Sequence, residues 1–406
     1  MKILMLTPYL PYPPSSGGQV RSYNLIKKLG KKHDITLFSL IKDDNEKKYI
    51  PQLEKYCKKV AVFKRPKTPW TLRNILLTGF GPYPFLVIRN LVPEERAAVK
   101  EEMSKEKYDL IHAETFYVMP HIPKTDIPIL LVEQTIEFQV YQHFVDSFKF
   151  FFLKPFLYID VFKIRYWETK FWQKAKKVVA VSQADKTKML SLVTGLDVEI
   201  VPNGAGEDLV NLWDIRQKKR DKAKPIVFYQ GNFNWLQNTE AAETLIKDIF
   251  PKIKAKIPQA VCWIVGQGVR EKIGKLSGNG VEIKNLETSD IDGVINAYKN
   301  ADIFVAPLAG PGGTRLKILG AMAAGIPVVT TSVGIEGIKA EDGKEVWIRD
   351  DPNEIARAAI DLIQDAQKYN RTITAARKLF ENDYNWNKIS LELDKIYREV
   401  GNAKKS

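Results

Sequence analysis

Two cations and a glycine-rich break stand where a helix should begin. The apolar run Ile303 to Ala306 ends at Pro307, Gly310-Pro311-Gly312-Gly313 breaks all periodicity, and Thr314, Arg315 and Lys317 follow at once. Leu316, Leu319, Met322 and Ala323 then recur at helical spacing as far as Gly325, a residue that stops helices. Ile326-Pro327-Val328-Val329-Thr330 reads as the next buried strand. A glycine-rich loop entering a helix turns free N–H groups and the positive end of the helix dipole toward whatever binds above it. Thr314 suits the N-cap, where its hydroxyl can accept one of those N–H groups. Cations in a first helical turn oppose the dipole, so helix stability does not explain Arg315 and Lys317. An anion held between them does. The chemistry expected of Gly312, Gly313, Thr314, Arg315 and Lys317 is phosphate binding, against the plainer reading of a βα turn with two solvated charges.

Other candidates cluster after apolar runs. His112 lies beside Glu114 and suits a general base or a hydrogen-bond donor, or else a structural role. Glu133, Gln134 and Glu137 follow another run; a carboxylate there can orient a sugar or take a proton, whereas Gln134 cannot titrate. Gly266-Gln267-Gly268 resembles a dinucleotide fingerprint but has Arg270-Glu271 where a third glycine belongs, which argues against NAD. Asp290-Ile291-Asp292 has the spacing of a metal-holding pair, but it opens a helix, where acidic residues act as caps.

The elements that must position these groups are short apolar strands alternating with helices. Lys2–Thr7, Asp34–Leu40, Val60–Phe63, Tyr108–His112, Ile127–Glu133 and Lys177–Ser182 read as strands, with Leu72–Arg89 irregular and aromatic, Pro93–Lys105 a charged helix and a long basic-aromatic helix before Lys177. Val201-Pro-Asn-Gly-Ala-Gly breaks the pattern, which restarts with Ile226–Gly231, Val261–Gly266, Val281–Lys284 and Ile303–Pro307. Such alternation predicts parallel sheets with right-handed crossovers and ligands at the carboxyl ends of the strands, where Gly17, Gly18, His112, Gln134 and Ser182 fall. A chain of 406 residues predicts two domains, and 45% apolar with 27% charged residues is globular composition. The two cysteines provide neither a disulfide framework nor metal-ligand spacing, which suits a reducing compartment. No signal peptide and no run of about 18 uncharged apolar residues is present, so the expected location is the cytoplasm.

The net charge of +14 is uneven: residues 1–205 hold 32 Lys and Arg against 21 Asp and Glu, the remainder 30 against 27. The first half therefore suits an acidic partner. No nucleic-acid-binding motif is present. The string Phe148–Ile159 alternates aromatics with lysines as interfacial segments do, which points to an anionic membrane surface; a core helix with outward lysines is the alternative.

Taken in order, the Gly17-Gly18 loop, VSQAD from Val181, VPNG at Val201, GNFNWLQN from Gly231, GGTRLKILGAMAAGIPVV from Gly312 and the Trp386 helix resemble glycosyltransferase family 4 over nearly the whole chain. The resemblance implies the GT-B fold: α/β, two Rossmann-like domains facing a central cleft, with a C-terminal helix returning to the N-domain. The domains would be 1–204 on the acceptor side, 205–385 for the nucleotide sugar, and the returning helix 386–406. It implies a retaining, metal-independent transfer from a UDP- or GDP-linked sugar to a glycan or lipid-linked acceptor, in cell-surface polysaccharide or glycolipid synthesis at the inner face of the plasma membrane. Arg315 and Lys317 with Gly312 and Gly313 would hold the diphosphate. Gly17 and Gly18 would admit the phosphates and sugar, while Gly231, Asn232, Trp235 and Gly266 would line the donor site. Members of the family carry two glutamates at the positions of Gly312 and Gly320, the second binding ribose; Glu336 is the substitute expected here. The family's catalytic histidine corresponds to Gln134 in Gln134-Thr-Ile-Glu137, leaving His112, Gln134 and Glu137 as the catalytic candidates. A degenerate GT-B protein that binds nucleotide sugar or glycan without turnover is the rival reading. A GT-B-like epimerase would need more titratable groups.

Overall fold

The computed structural model describes residues 1–217, 224–287, 290–310 and 314–402. They form two compact units, Met1–Pro202 with Ile389 onward, and Asn203–Lys388.

The first unit is built on seven parallel strands: β1 (Lys2–Thr7), β2 (Asp34–Ile41), β3 (Lys59–Lys64), β4 (Leu110–Glu114), β5 (Ile129–Val132), β6 (Lys177–Ala180) and β7 (Val198–Ile200). Their order is β3-β2-β1-β4-β5-β6-β7. β1, β5 and β6 are nearly continuous apolar runs, as expected where helices cover both faces of a sheet, while β2 and β4 carry polar residues among buried ones and the edge strand β3 is only half-buried. β4 ends two residues later than the sequence suggests, which puts His112 inside the strand, level with Met5 of β1, and Glu114 at its end. Leu72–Arg89 is not irregular: Leu72–Phe80 is a helix capped by the Thr71 hydroxyl, which accepts from the Asn74 N–H, and Phe85–Ile88 is a further turn. The helix Trp386–Asn402 carries Leu393, Ile396, Tyr397 and Val400 into the core of this unit.

The second unit has six parallel strands: β8 (Ile226–Asn232), β9 (Val261–Gln267), β10 (Val281–Asn285), β11 (Ile303–Ala306), β12 (Val328–Thr330) and β13 (Trp347–Ile348). Their order is β10-β9-β8-β11-β12-β13. The helix Leu316–Ala324 is buried on every side from Ile318 onward, so it behaves as a core element; burying a large apolar side chain contributes about 1.5–3 kcal/mol. Asp290 caps the helix Ile291–Asn300 by accepting from the Gly293 N–H.

In each sheet the chain reverses its direction of strand addition once, between β1 and β4 and between β8 and β11. Helices leave opposite faces on the two sides of such a point and open a crevice beyond the carboxyl ends of the strands. Both candidate clusters lie there.

Candidate functional site

At the β8/β11 reversal, Tyr229 and Gly231 come from β8, Asn238 from the helix Leu236–Thr244, and Lys317 from the helix Leu316–Ala324. The Lys317 ammonium donates to Asn238 Oδ1 at 2.5 Å and to the Tyr229 hydroxyl at 3.2 Å, and sits 4.7 Å from the Tyr229 ring centre. Asn238 is fully engaged: its Oδ1 also accepts from Tyr229 at 3.0 Å, and its Nδ2 donates to the Asn232 carbonyl at 2.7 Å. Burial, reinforced by the charge of Arg315, pushes the Lys317 pKa well below its ordinary value. Among the described residues no carboxylate pairs with Lys317. A desolvated cation held by neutral acceptors beside a second cation is a place where an anion gains more than it would in water.

The helix begins one residue later than the sequence suggests. Arg315 occupies the N-cap position, with φ −82° and ψ 87°, and no side-chain capping bond, so Thr314 is not the cap. The Arg315 guanidinium turns back to donate to the Gly310 carbonyl, which draws the cap residue into the loop and leaves Thr314 buried ahead of the helix. Gly312 and Gly313 lie outside the described residues.

The glycines of β8 and β9 have reasons of their own. Gly266 stands level with Gly231 in the strand register, at φ +148°, and a β-carbon on it would lie 1.7 Å from the Gly231 carbonyl oxygen. Only a glycine admits that approach. Asn232 Nδ2 donates to Gln267 Oε1 at 3.0 Å and ties the two strand exits together. Trp235, 45% exposed, precedes the Leu236 helix, and Glu336 is exposed beyond β12. Gly320 is buried, and a β-carbon there would meet Leu209 at 2.8 Å and Tyr298 at 3.4 Å. This face of the helix is filled by packing.

At the β1/β4 reversal a chain of hydrogen bonds runs through the first unit. Gln134 Nε2 donates to the Tyr9 hydroxyl at 2.7 Å and to Glu114 Oε1 at 2.6 Å. Glu114 Oε2 lies 2.8 Å from His112 Nε2, and His112 Nδ1 lies 2.6 Å from the Tyr397 hydroxyl. Arg21 Nε stands 3.9 Å from Glu114, while its Nη1 donates to the carbonyls of Val201 and Pro202. Burial would raise the Glu114 pKa, but His112, Arg21 and Gln134 together outweigh it and hold the carboxyl below its ordinary range. An ionised Glu114 can only accept, so His112 donates to it through Nε2.

In this structure His112 occupies a structural position. It is fully buried inside β4 with both nitrogens engaged, and it positions Glu114, which positions Gln134. Gln134 is partly exposed and keeps a polar face at the strand ends. Gly17 and Gly18 open the helix Gly17–Leu29 behind an N-cap at Ser16, and a β-carbon on Gly18 would fall 2.4 Å from the Tyr9 hydroxyl, so this glycine makes room for the phenol that holds Gln134. Glu137 starts the helix Glu137–Asp146; burial pushes its pKa up to about 7 against the pull of Arg89. It can exchange a proton near neutral pH.

Tyr9, Arg21, Tyr229, Asn238 and Tyr397 are absent from the sequence reading. Asn238 is the last residue of the GNFNWLQN string, and Arg21 and Tyr397 sit on the apolar faces of their helices, a placement that signals a buried polar partner.

Two family descriptions match the chain: Glycosyltransferase Family 4 over residues 15–208 and Glycosyl transferases group 1 over residues 224–365. A Klebsiella pneumoniae relative, an uncharacterized 44.6 kDa protein in the cps region, is 22% identical over 98% of both chains. The structure of sucrose-phosphate synthase from Thermosynechococcus elongatus superposes with a TM-score of 0.74 at 18% identity, covering 99% of this chain and 100% of that one. Anabaena HepE in complex with UDP and glucose gives 0.65 at 17%, covering 98% and 100%. With both sheets in GT-B order and the two matches together spanning well over half of its length, the chain belongs to the family 4 glycosyltransferases.

Proposed function

We propose that this enzyme moves a sugar from a nucleotide-sugar donor to a glycan or lipid-linked acceptor, with retention of configuration and without a metal ion. The observation that carries the reading is Lys317 and Arg315 at the start of a buried helix at the β8/β11 reversal. A leaving nucleoside diphosphate develops charge on its bridging oxygen; two fixed cations and a helix N-terminus stabilise that charge without reorganising. The unit Asn203–Lys388 thus takes the donor, UDP- or GDP-linked, and the unit Met1–Pro202 takes the acceptor. Gln134, held by Tyr9 and Glu114, orients a sugar hydroxyl, and Glu137 is placed to exchange a proton. HepE, which shares the fold, is seen with UDP and glucose, and the cps-region relative fits a role in surface polysaccharide or glycolipid synthesis at the inner face of the membrane. Among the described residues no helix is long and apolar enough to cross a membrane, so the contact would be peripheral.

The rival reading, binding without turnover, is favoured by the burial of His112 and by a glutamine at position 134. Incubation with UDP-, GDP- and dTDP-sugars and candidate acceptors separates the two. Release of nucleoside diphosphate with one donor is expected; tight binding with no release from any donor would establish the rival.

A further inference from the structure

Of the nineteen large apolar side chains exposed among the described residues, fifteen fall within residues 70–80 and 144–166. Along the helix Lys154–Lys174 they form a stripe: Phe156, Ile159, Phe162 and Tyr166 recur at three- and four-residue intervals on the outer side, while Val161, Ile164, Phe171 and Trp172 fill the inner side. A helix apolar on both sides belongs in an interior, and here one side is left uncovered by the described residues. The stripe continues from Phe150–Phe152 and spans roughly 20 Å at 1.5 Å per residue. The helix Leu72–Phe80 adds a second outward apolar face, ending in Phe80, which is 91% exposed. Lys163 joins the two helices by donating to the carbonyls of Thr78 at 2.6 Å and Gly81 at 2.8 Å, and Trp167 donates to Pro82 at 2.8 Å. The two faces are therefore neighbours, and contiguous apolar surface on this scale marks an interaction site.

The charges around it say what covers it. Arg73, Lys149, Lys154, Arg165, Lys170 and Lys174 are interspersed along the same two stretches of chain, and residues 66–89 contain no acid. The acids of the long helix turn inward: Asp160 accepts from the Phe85 N–H at 2.9 Å, and buried Glu168 accepts from the N–H groups of Glu137 and Phe138. Asp146, the remaining acid of this stretch, is exposed and accepts from Tyr158. A second copy docking through the same patch would set these cations against themselves, because a two-fold interface pairs each surface with itself. An anionic lipid surface matches both the aromatics and the cations.

We infer that the face made by the helices Leu72–Phe80 and Lys154–Lys174, with Phe150–Leu153 between them, lies in the headgroup region of an anionic bilayer. This deepens the peripheral reading above by naming the surface that makes the contact, and it does not depend on which sugar is transferred. The aromatics supply the insertion, and the flanking lysines and arginines supply the preference for anionic lipid.

Flotation of the full chain with vesicles of phosphatidylcholine, alone or with phosphatidylglycerol, tests it. The unaltered protein is expected to float with the anionic vesicles and to be released by high salt. A variant combining Leu76→Ser, Phe152→Ser, Phe156→Ser and Phe162→Ser should lose roughly tenfold or more in partitioning. Its nucleotide affinity should be unchanged, which shows that it is folded. Arg73→Glu with Lys149→Glu should lose binding to anionic vesicles only. If the unaltered protein floats and the apolar variant floats equally well, the surface is wrong while peripheral association stands. No flotation of the unaltered protein with any vesicle overturns both, as does a dimer in sedimentation that the apolar variant abolishes without any vesicle binding.

Discussion

In the proposed reaction Lys317 is the residue on which the chemistry turns. It is held by a phenol and an amide, neither of which can neutralise it, and Arg315 lies close enough to push its pKa further down. An anion arriving between the two cations favours the protonated form of Lys317. Nucleotide binding is therefore expected to take up protons and to weaken as pH rises, because the free protein loses the Lys317 proton more readily than the complex does. Calorimetry in buffers of different ionisation enthalpy measures this; binding with no proton uptake and no pH dependence would remove Lys317 from the site. In the other unit, Glu114→Gln should weaken acceptor turnover with little effect on nucleotide affinity, since it releases Gln134 and leaves the Lys317 cluster intact. Both effects are read from steady-state rates and binding isotherms.

Among the elements, the paired β8 and β9 exits are the least tolerant of change. Gly266→Ala drives a β-carbon into the Gly231 carbonyl and is expected to cost about 3 kcal/mol or more, the range reached by backbone strain combined with overpacking; denaturant midpoints would show it. A second stress lies at the helix Pro93–Lys105. The Val92 N–H donates to His121 Nε2 at 3.0 Å, so His121 is neutral and gives its other proton to the Val118 carbonyl, and Glu95, 3.3 Å away, meets no cation. Burial pushes the Glu95 carboxyl up to about 8 and His121 down to about 4. The folded state keeps a proton on Glu95 that the unfolded chain has already released, so stability falls as pH rises from about 4.5 to about 8, at about 1.4 kcal/mol per pH unit. The His121 contribution has the other sign and is lost as pH falls from about 6.5 toward 4. Glu95→Gln should flatten the alkaline limb of a melting-temperature profile; an unchanged slope would mean that Glu95 is not the group involved. The main strands were legible because helices cover both faces of a parallel sheet and favour nearly continuous apolar runs. The two-residue β13 and three-residue β7 leave no such run. The Leu72–Phe80 helix was hidden because its pattern is inverted: Leu72, Ile75, Leu76, Leu77 and Phe80 are all exposed while Asn74 is the buried residue, so no apolar inner face marks it. The Arg315 and Lys317 helix start was legible as a coincidence of glycines and cations, whereas Asn238, Tyr229 and Tyr397 entered through contacts between distant elements that no spacing in the chain encodes.

For the whole molecule, each unit's sheet order places one polar cluster at the point where strand addition reverses. The helix Trp386–Asn402 begins in the second unit, with Trp386 Nε1 donating to the Ala205 carbonyl, and from Ile389 belongs to the first, with Tyr397 bonded to His112. Removing residues 389–406 should expose the core beneath Leu393 and Tyr397 and lower the melting transition of the first unit, leaving that of the second unit in place; scanning calorimetry resolves the two. The phosphate assignment is tested most directly by titrating UDP and GDP into the unaltered protein and into Arg315→Ala. A loss of ~1–3 kcal/mol of binding free energy, about 5- to 150-fold in Kd, is expected for removal of a charge-assisted contact. Equal affinity in the two proteins would contradict it.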